Sequence, residues 1–405
     1  MQKSQQLTRR LTQDDLLELE RKVKTALSGV RNSMLAPEFV KKPPLFFASQ
    51  VSELCGLTDS EMQYRITKGD LPAPLEPEPG KKKRPFTLAS TRTWSRTLRA
   101  DHMRPKPADA IVIATCNFKG GVSKTTTTAT LAQGLSLRGH KVLVIDMDPQ
   151  ASLTTLFGID STKIRDDETL LSLCYGNENF VDYAVKPTYW DGIDIIPSGL
   201  SLYGAEFALP NLQKTKAGFE FWNLLGYGLD VIRANYDVIV IDTSPSLSYL
   251  TINALFAADG LIMPVPPNNL DFASSSQFWT LFNEVMTTLL TQRGKAKEFD
   301  FVNVLLAKVE TGLSAIAVRE WITSAYAEKV LPVEIPVTSA TSGASVSFGT
   351  VYDTNATEIG ARTYKRAFDA YEKFVELIEG QIEIAWARQL NDIAKRDTDV
   401  DVKNK

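Results

Sequence analysis

Between Ile111 and Gln150 a set of side chains stands at spacings suited to holding a polyphosphate. The stretch reads IVIATCNF and then KGGVSKTTTTATLAQGLSLRGHKVLVIDMDPQ. Lys119 opens a turn at Gly120 and Gly121, Val122 and Ser123 continue it, and Lys124, Thr125 and Thr126 close it. Adjacent glycines let backbone N–H groups converge and leave no Cβ in the way of phosphate oxygens. The Lys124 ammonium suits the β- and γ-phosphates of a nucleotide, and the Thr125 hydroxyl suits the Mg²⁺ that accompanies them. The ordinary loop, G-x-x-x-x-G-K-[ST], is broken twice, because Phe118 and Ser123 stand at its glycine positions. In exchange the chain carries a second lysine, Lys119, at the loop entrance.

Three carboxylates join this set. Asp146 and Asp242 each close an apolar run, where a carboxylate is either stranded at a sheet edge or held in a metal shell. Asp148 lies two residues beyond Asp146 and reaches further, toward a γ-phosphate. Phosphoryl transfer to water asks mainly for positioning and charge stabilisation, so one acid on the Mg²⁺ side and one orienting the water divide the work sensibly. Each group also has a plain reading, as a solvated lysine or a strand-end acid. What singles them out is that they fall in register.

The elements that would position them are legible from periodicity. Ile111 to Asn117 is rich in β-branched residues, as a strand covered on both faces must be. From Thr125 to Leu137 the small or apolar residues Ala129, Leu131, Ala132 and Leu135 recur at helical spacing. The loop therefore sits at a helix N-terminus, where free N–H groups and the dipole favour an anion. Further strands are predicted over Lys141–Asp146, Ile193–Pro197, Val238–Asp242, Leu261–Val265, Phe301–Leu306 and Val333–Pro336, alternating with helices. The fold class is α/β: a mostly parallel, doubly wound sheet with a ligand at the carboxyl ends of its strands.

K-G-G-x-x-K-T-T at Lys119–Thr126, D-x-D-P-Q at Asp146–Gln150 and the run Tyr236–Pro245 together resemble the ParA-family ATPases of plasmid and chromosome partition. The similarity spans roughly residues 110 to 380. Its nearest form is the large one with an additional N-terminal DNA-binding domain, as in the ParA and RepA proteins of low-copy plasmids. The resemblance implies ATP and Mg²⁺ as cofactors, Asp148 as the water-activating residue, and Asp146, Asp242 and Thr125 on the Mg²⁺ side. It implies a homodimer sandwiching two ATPs, with Lys119 crossing to the partner's nucleotide. It further implies nonspecific DNA binding by the ATP dimer, stimulation of hydrolysis by a ParB-like adaptor, and a cytoplasmic, nucleoid-associated protein. The family's adenine-reading asparagine is not carried over, because Ala307-Lys308 stands in its place.

Composition adds a division of charge. Residues 1 to 107 hold 20 Lys and Arg against 12 Asp and Glu, a balance of +8, while the remainder holds 25 against 36, or −11. A basic module on an acidic body suits an anionic partner such as DNA for the smaller part. The spacing predicts an amphipathic helix in residues 1–44, suited to dimerisation, and a winged helix-turn-helix domain at 45–104. In the latter Thr58 and Glu61 form a capping box, and Gln63, Tyr64, Arg65 and Lys68 face operator DNA. Lys81, Lys82, Lys83 and Arg84 end a Pro-rich loop as a wing along the phosphates. Arg104–Pro107 is a linker by composition, followed by an ATPase domain at 108–390 and a polar tail at 391–405. In the helix that starts near Ala361, Arg362, Lys365 and Arg366 share one face, which suits nonspecific DNA.

Two other classes remain open on residues alone. A cluster-bearing metabolic enzyme would need paired cysteines, and Cys55, Cys116 and Cys174 are far apart. A MinD-like membrane-cycling ATPase would need a basic amphipathic C-terminal helix, and KRDTDVDVKNK mixes its charges. No apolar run approaches the ~18 residues of a membrane span, so the expectation is a protein without membrane contact.

Overall fold

The computed structural model describes residues 10–34, 41–77, 79–80, 82–337, 349–353 and 360–403. The chain forms two compact units, residues 1–42 and 43–405. In the first, helix α1 (Gln13–Met34) begins at a reciprocal cap, with the Thr12 N–H donating to Asp15 Oδ2 and the Asp15 N–H to Thr12 Oγ1. Ion pairs Glu18–Lys22 and Glu20–Lys24 run along it at i,i+4. Leu16, Leu17, Leu19 and Val23 are exposed.

The second unit is built on an eight-stranded sheet in the order β10-β9-β8-β3-β7-β4-β6-β5. Its strands are β3 (Ile111–Thr115), β4 (Val142–Asp146), β5 (Lys186–Pro187), β6 (Ile193–Ile196), β7 (Val238–Asp242), β8 (Gly260–Val265), β9 (Phe301–Val309) and β10 (Val330–Pro336). All pair in parallel except β5, which lies antiparallel on the edge. Every residue of β3, β4, β7 and β8 is buried, which is why these strands read as continuous apolar runs. Strand β5 is two residues long and contains Pro187, a composition fit only for an edge.

Helices cover both faces. On one lie α7 (Leu171–Tyr175), α8 (Ala205–Thr215), α9 (Leu224–Leu229), α10 (Tyr249–Ala257), α11 (Asn269–Leu289) and α12 (Leu313–Tyr326). On the other lie α5 (Lys124–Leu137), α6 (Ser152–Leu156) and the long α13 (Ala361–Lys403). Helix α13 thus continues through most of the segment that composition reads as a polar tail.

The region before the sheet contains β1 (Phe46–Phe47), α2 (Ala48–Cys55), α3 (Asp59–Lys68), β2 (Pro85–Phe86) and α4 (Leu88–Leu98). Gly56, with φ 65°, makes the left-handed turn between α2 and α3. The capping box of Thr58 and Glu61 forms as the sequence predicts. Strands β1 and β2 pair antiparallel, and Trp94 donates to Pro72 O at 2.9 Å while meeting Phe86 edge-on. Val51, Met62, Phe86 and Trp94 belong to the same apolar cluster as α5 and α13, so this region shares a core with the sheet.

Helix α4 docks through arginines. Arg92 donates to Ser136 O and His140 O, Arg96 to Gly139 O, and Arg99 to Arg138 O, at 2.7 to 2.9 Å. These carbonyls lie at and just past the C-terminal end of α5, where partial negative charge accumulates and intrahelical donors run out. The approach is so close that a Cβ at Gly139 would lie 2.8 Å from Arg96 Cα. The segment of linker composition is equally tied, since Arg104 donates to Ala234 O at 2.6 Å and to Asp237 Oδ1 at 3.4 Å.

Glu379 of α13 closes this junction. Arg99 grips both of its oxygens at 3.0 and 2.7 Å, and His140 Nε2 lies 2.8 Å from Oε1. Burial pushes the carboxyl up, but the bonds from His140 and Arg99 outweigh it and hold it at about 2. A carboxyl depressed on folding stabilises fully above its ordinary pKa of 4.5, and that contribution drains away as pH falls toward 2. Glu379→Gln is therefore expected to lower unfolding free energy by about 3 kcal/mol at pH 7. It should also flatten the loss of stability between about pH 5 and pH 3 in urea titrations. An unchanged urea midpoint at pH 7 would contradict this role.

Candidate nucleotide site

The loop between β3 and α5 is held from within and from both sides. Asn117 donates to Pro264 O at 2.9 Å and accepts the Lys119 N–H at 3.0 Å, which fixes the loop's entry. Gly121 and Ser123 both take left-handed φ, 78° and 77°. No atom stands within 4 Å of where a Gly121 Cβ would project. Lys124 is 7% exposed, and its Nζ donates to Lys119 O at 3.0 Å, so its ammonium is curled inside the loop. Burial lowers its pKa, offset in part by Asp242 and Asp148. Lys119 is exposed at the loop's outer edge, with Gly120 and Gly121. Val122 is buried beneath it, and Thr125 and Thr126 lie half-buried in the first turn of α5.

The acids converge on the same edge. Asp146 and Asp242 are register partners at the ends of β4 and β7, and Thr115, the last residue of β3, pairs with Asp242. Both carboxylates are fully buried. Burial and the neighbouring Asp146 push the Asp242 carboxyl up to about 8, against the pull of the Thr125 hydroxyl and Lys124. Asp242 Oδ2 has no hydrogen-bond partner. A buried carboxylate oxygen of this kind, beside a loop shaped for phosphates, fits a divalent cation. Asp146 is engaged differently. Its Oδ1 accepts the Asp148 N–H at 3.1 Å, and its Oδ2 accepts the N–H and hydroxyl of Thr154 at 2.8 and 2.7 Å. Burial still raises it to about 7. Asp148 is half-buried and accepts the Gln150 N–H at 3.0 Å.

With this geometry in view the likenesses are informative. Residues 110–293 match a protein family described as an AAA domain. A protein named replication protein A from Rhizobium rhizogenes is 35% identical over 283 residues, covering 68% of this chain and 70% of the relative. The chain belongs to the ParA family of partition ATPases. The fold agrees: a solved structure described as a partition protein aligns with a TM-score of 0.65 at 20% identity, covering 90% of this chain and 98% of that one. Cobyrinic acid a,c-diamide synthase of Mycobacterium smegmatis, solved with a bound ATP analogue and magnesium, aligns with a TM-score of 0.50 at 26% identity, over 66% and 93% of the two chains.

The motif residues of this family member are thus brought to one place, while the candidate DNA-contacting residues lie elsewhere. Gln63, Tyr64 and Lys68 are exposed on α3 and Arg65 is half-buried, with Arg65 and Lys68 both paired to Asp70. In the segment before β2, Lys82 and Lys83 are exposed, and Lys83 sits over the Phe47 ring. Arg84 is drawn into the loop instead, donating to Pro74 O, Leu75 O and Glu76, because prolines without N–H groups leave the segment fewer donors than carbonyls. Lys81 lies outside the described residues. Arg362, Lys365 and Arg366 are exposed on α13, where Tyr371, Phe374 and Val375 are buried as the helical spacing predicts.

Among the described residues, no helix is long and apolar enough to cross a membrane.

Sequence reasoning missed Thr154. No motif announces it, since its value arises only when α6 returns its N-terminal turn to the Asp146 carboxylate. Its hydroxyl also accepts the Ser198 N–H at 2.9 Å, linking β4 to the chain beyond β6. Thr154→Val removes both bonds and is expected to cost about 1–2 kcal/mol of stability. Chemical denaturation would show it, and a variant with the parent's midpoint would contradict the assignment.

Proposed function

We propose that this chain is an ATP-hydrolysing motor of DNA segregation, acting as an ATP-dependent homodimer on nonspecific DNA. The observation that carries the reading is the meeting of three features at one sheet edge. The Lys124 ammonium is curled inside a glycine loop, α5 starts beneath it, and the paired acids Asp146 and Asp242 stand beside it. The N–H groups from Gly120 to Thr126 cradle the phosphates, and Lys124 straightens from Lys119 O onto the β- and γ-phosphates. Thr125 and Asp242 would hold Mg²⁺, which would supply positive charge against the phosphates. Asp146 belongs to the metal side by orienting: its hydrogen bonds to Thr154 and the Asp148 N–H set the turn from which Asp148 reaches the attacking water. Lys119, exposed at the outer edge, serves the partner's nucleotide across the dimer and neutralises charge as an arginine finger does.

DNA is engaged on two surfaces. Arg362, Lys365 and Arg366 take nonspecific DNA, supported by their exposure on one helix face of an otherwise acidic body. The region at 45–104 takes an operator through Gln63, Tyr64, Arg65, Lys68 and the wing of Lys81, Lys82 and Lys83, and represses the chain's own operon. Helix α1 contributes to dimerisation, and a ParB-like adaptor stimulates hydrolysis and releases the nucleoid-bound dimer in the cytoplasm. Nothing in this scheme uses a membrane.

Asp148→Ala is expected to keep ATP affinity and to slow hydrolysis about 100-fold or more, so that an ATP-bound dimer accumulates by light scattering. On that background, Arg362→Ala with Arg366→Ala should abolish gel shifts of random-sequence DNA while operator binding in ADP persists. Parent-rate hydrolysis by Asp148→Ala would reject the catalytic assignment. Undiminished binding to random DNA would reject the α13 surface.

A further inference from the structure

Strand β9 ends on the same edge of the sheet as the phosphate loop, and its penultimate residue, Lys308, is at odds with a strand. Its φ is 51°. That left-handed region is disfavoured for any residue with a Cβ, and a long side chain gains nothing locally by entering it. Four non-glycine residues have positive φ among the described residues: Ser123, Ala151, Lys308 and Ala327. Ser123 begins α5 and Ala151 begins α6 just after Asp148, so three of these four stand around the nucleotide site. Strain that gathers at one place persists because the surrounding structure enforces it, and it marks function more often than accident.

The strain goes with a bulge, since Leu306 pairs with Glu334 and Val309 with Pro336, and the bulged Lys308 makes one long-range contact. Between buried Ala307 and Val309 the side chain turns out to solvent, and its Nζ donates to Gly121 O at 2.6 Å, 187 positions away. The carbonyl of Gly121 and the N–H of Val122 belong to one planar trans peptide, so they point in opposite directions. Fixing the oxygen toward Lys308 of β9 therefore aims the Val122 N–H the other way, away from that contact. Gly121 is the residue of the loop least able to hold its own orientation, since at φ 78° it has no side chain and no neighbour within 4 Å of a Cβ position.

We propose that Lys308 is a positioning residue of the nucleotide site, which pins the tip of the phosphate loop from β9 and presets the Val122 N–H for a phosphate oxygen. Neither the loop motif nor the acid motifs include it. The inference rests on the nucleotide reading above and deepens it. Unlike Lys119, Lys308 acts within its own chain, so its effect belongs to the monomer and precedes dimerisation.

The test is calorimetric titration of the full chain with ADP and with ATP in Mg²⁺, alongside the Tm of the unliganded protein. Lys308→Met should bind both nucleotides about tenfold more weakly. Lys308→Arg, which keeps a donor on a long stem, should recover most of that loss. Lys308→Gly should bind as weakly as Lys308→Met, yet its unliganded Tm should equal or exceed the parent's, because glycine is relieved of the left-handed strain. Nucleotide affinity in Lys308→Met equal to the parent's would overturn the inference alone. So would a Tm that falls in Lys308→Gly with affinity intact, the mark of a purely structural lysine. A parent chain that binds no nucleotide would overturn the nucleotide reading and this inference with it.

Discussion

A helix buried on every side must find partners for the backbone groups at both of its ends, and α5 is such a helix. From Thr127 to Leu137 each of its residues is buried, so the carbonyls at its C-terminal end need partners from the protein. At its C-terminus the solution is cationic: Arg92, Arg96 and Arg99 of α4 hand their guanidinium donors to the carbonyls from Ser136 to His140. Glu379 balances their charge from α13. At its N-terminus the solution is a glycine loop whose N–H groups gather where an anion fits. The two ends of one dipole thus account for the docking of the N-terminal region and for the nucleotide site. They place the α4 arginines and the phosphate loop at opposite ends of one rigid element.

The acids follow from the sheet. Because β4 and β7 are parallel neighbours in register, their final residues, Asp146 and Asp242, come side by side without any loop having to carry them. Burial raises both carboxyls, and the Asp146 charge adds to the rise at Asp242. The fold treats the two unequally. Thr154 and the Asp148 N–H satisfy Asp146, whereas Asp242 keeps a buried oxygen without a partner. That inequality separates a residue that orients from one that suits a cation.

Much of this was legible in the chain, for identifiable reasons. Strands β3, β4, β7 and β8 could be read because residues buried on both faces must be apolar, and the loop because glycine pairs and lysines at fixed offsets leave little else to do. Thr58, Glu61 and Gly56 announced α2 and α3 through local hydrogen bonds, which sequence spacing encodes directly. What escaped was long-range. Arg92, Arg96 and Arg99 look like the polar face of any helix until Gly139 lets α4 approach. Arg104 sits in a proline segment of linker composition, yet its guanidinium finds Asp237 across 133 positions. Arg84 reads as one more cation of a wing and is spent on the carbonyls of its own loop. Lys308 departs from strand geometry in a way that no alternation pattern reveals, because the bulge it occupies depends on how β9 pairs with β10.

The central claim is that the Lys119–Thr126 loop, with α5 behind it, holds a nucleotide by its phosphates. Equilibrium titration of the intact protein and of Lys124→Ala with ATP in Mg²⁺ measures this most directly. The account predicts saturable binding at one site per chain in the parent and a loss of about 100-fold or more in the variant, since the ammonium that meets the phosphates is gone. Equal affinity in the two, with both proteins folded, would contradict it.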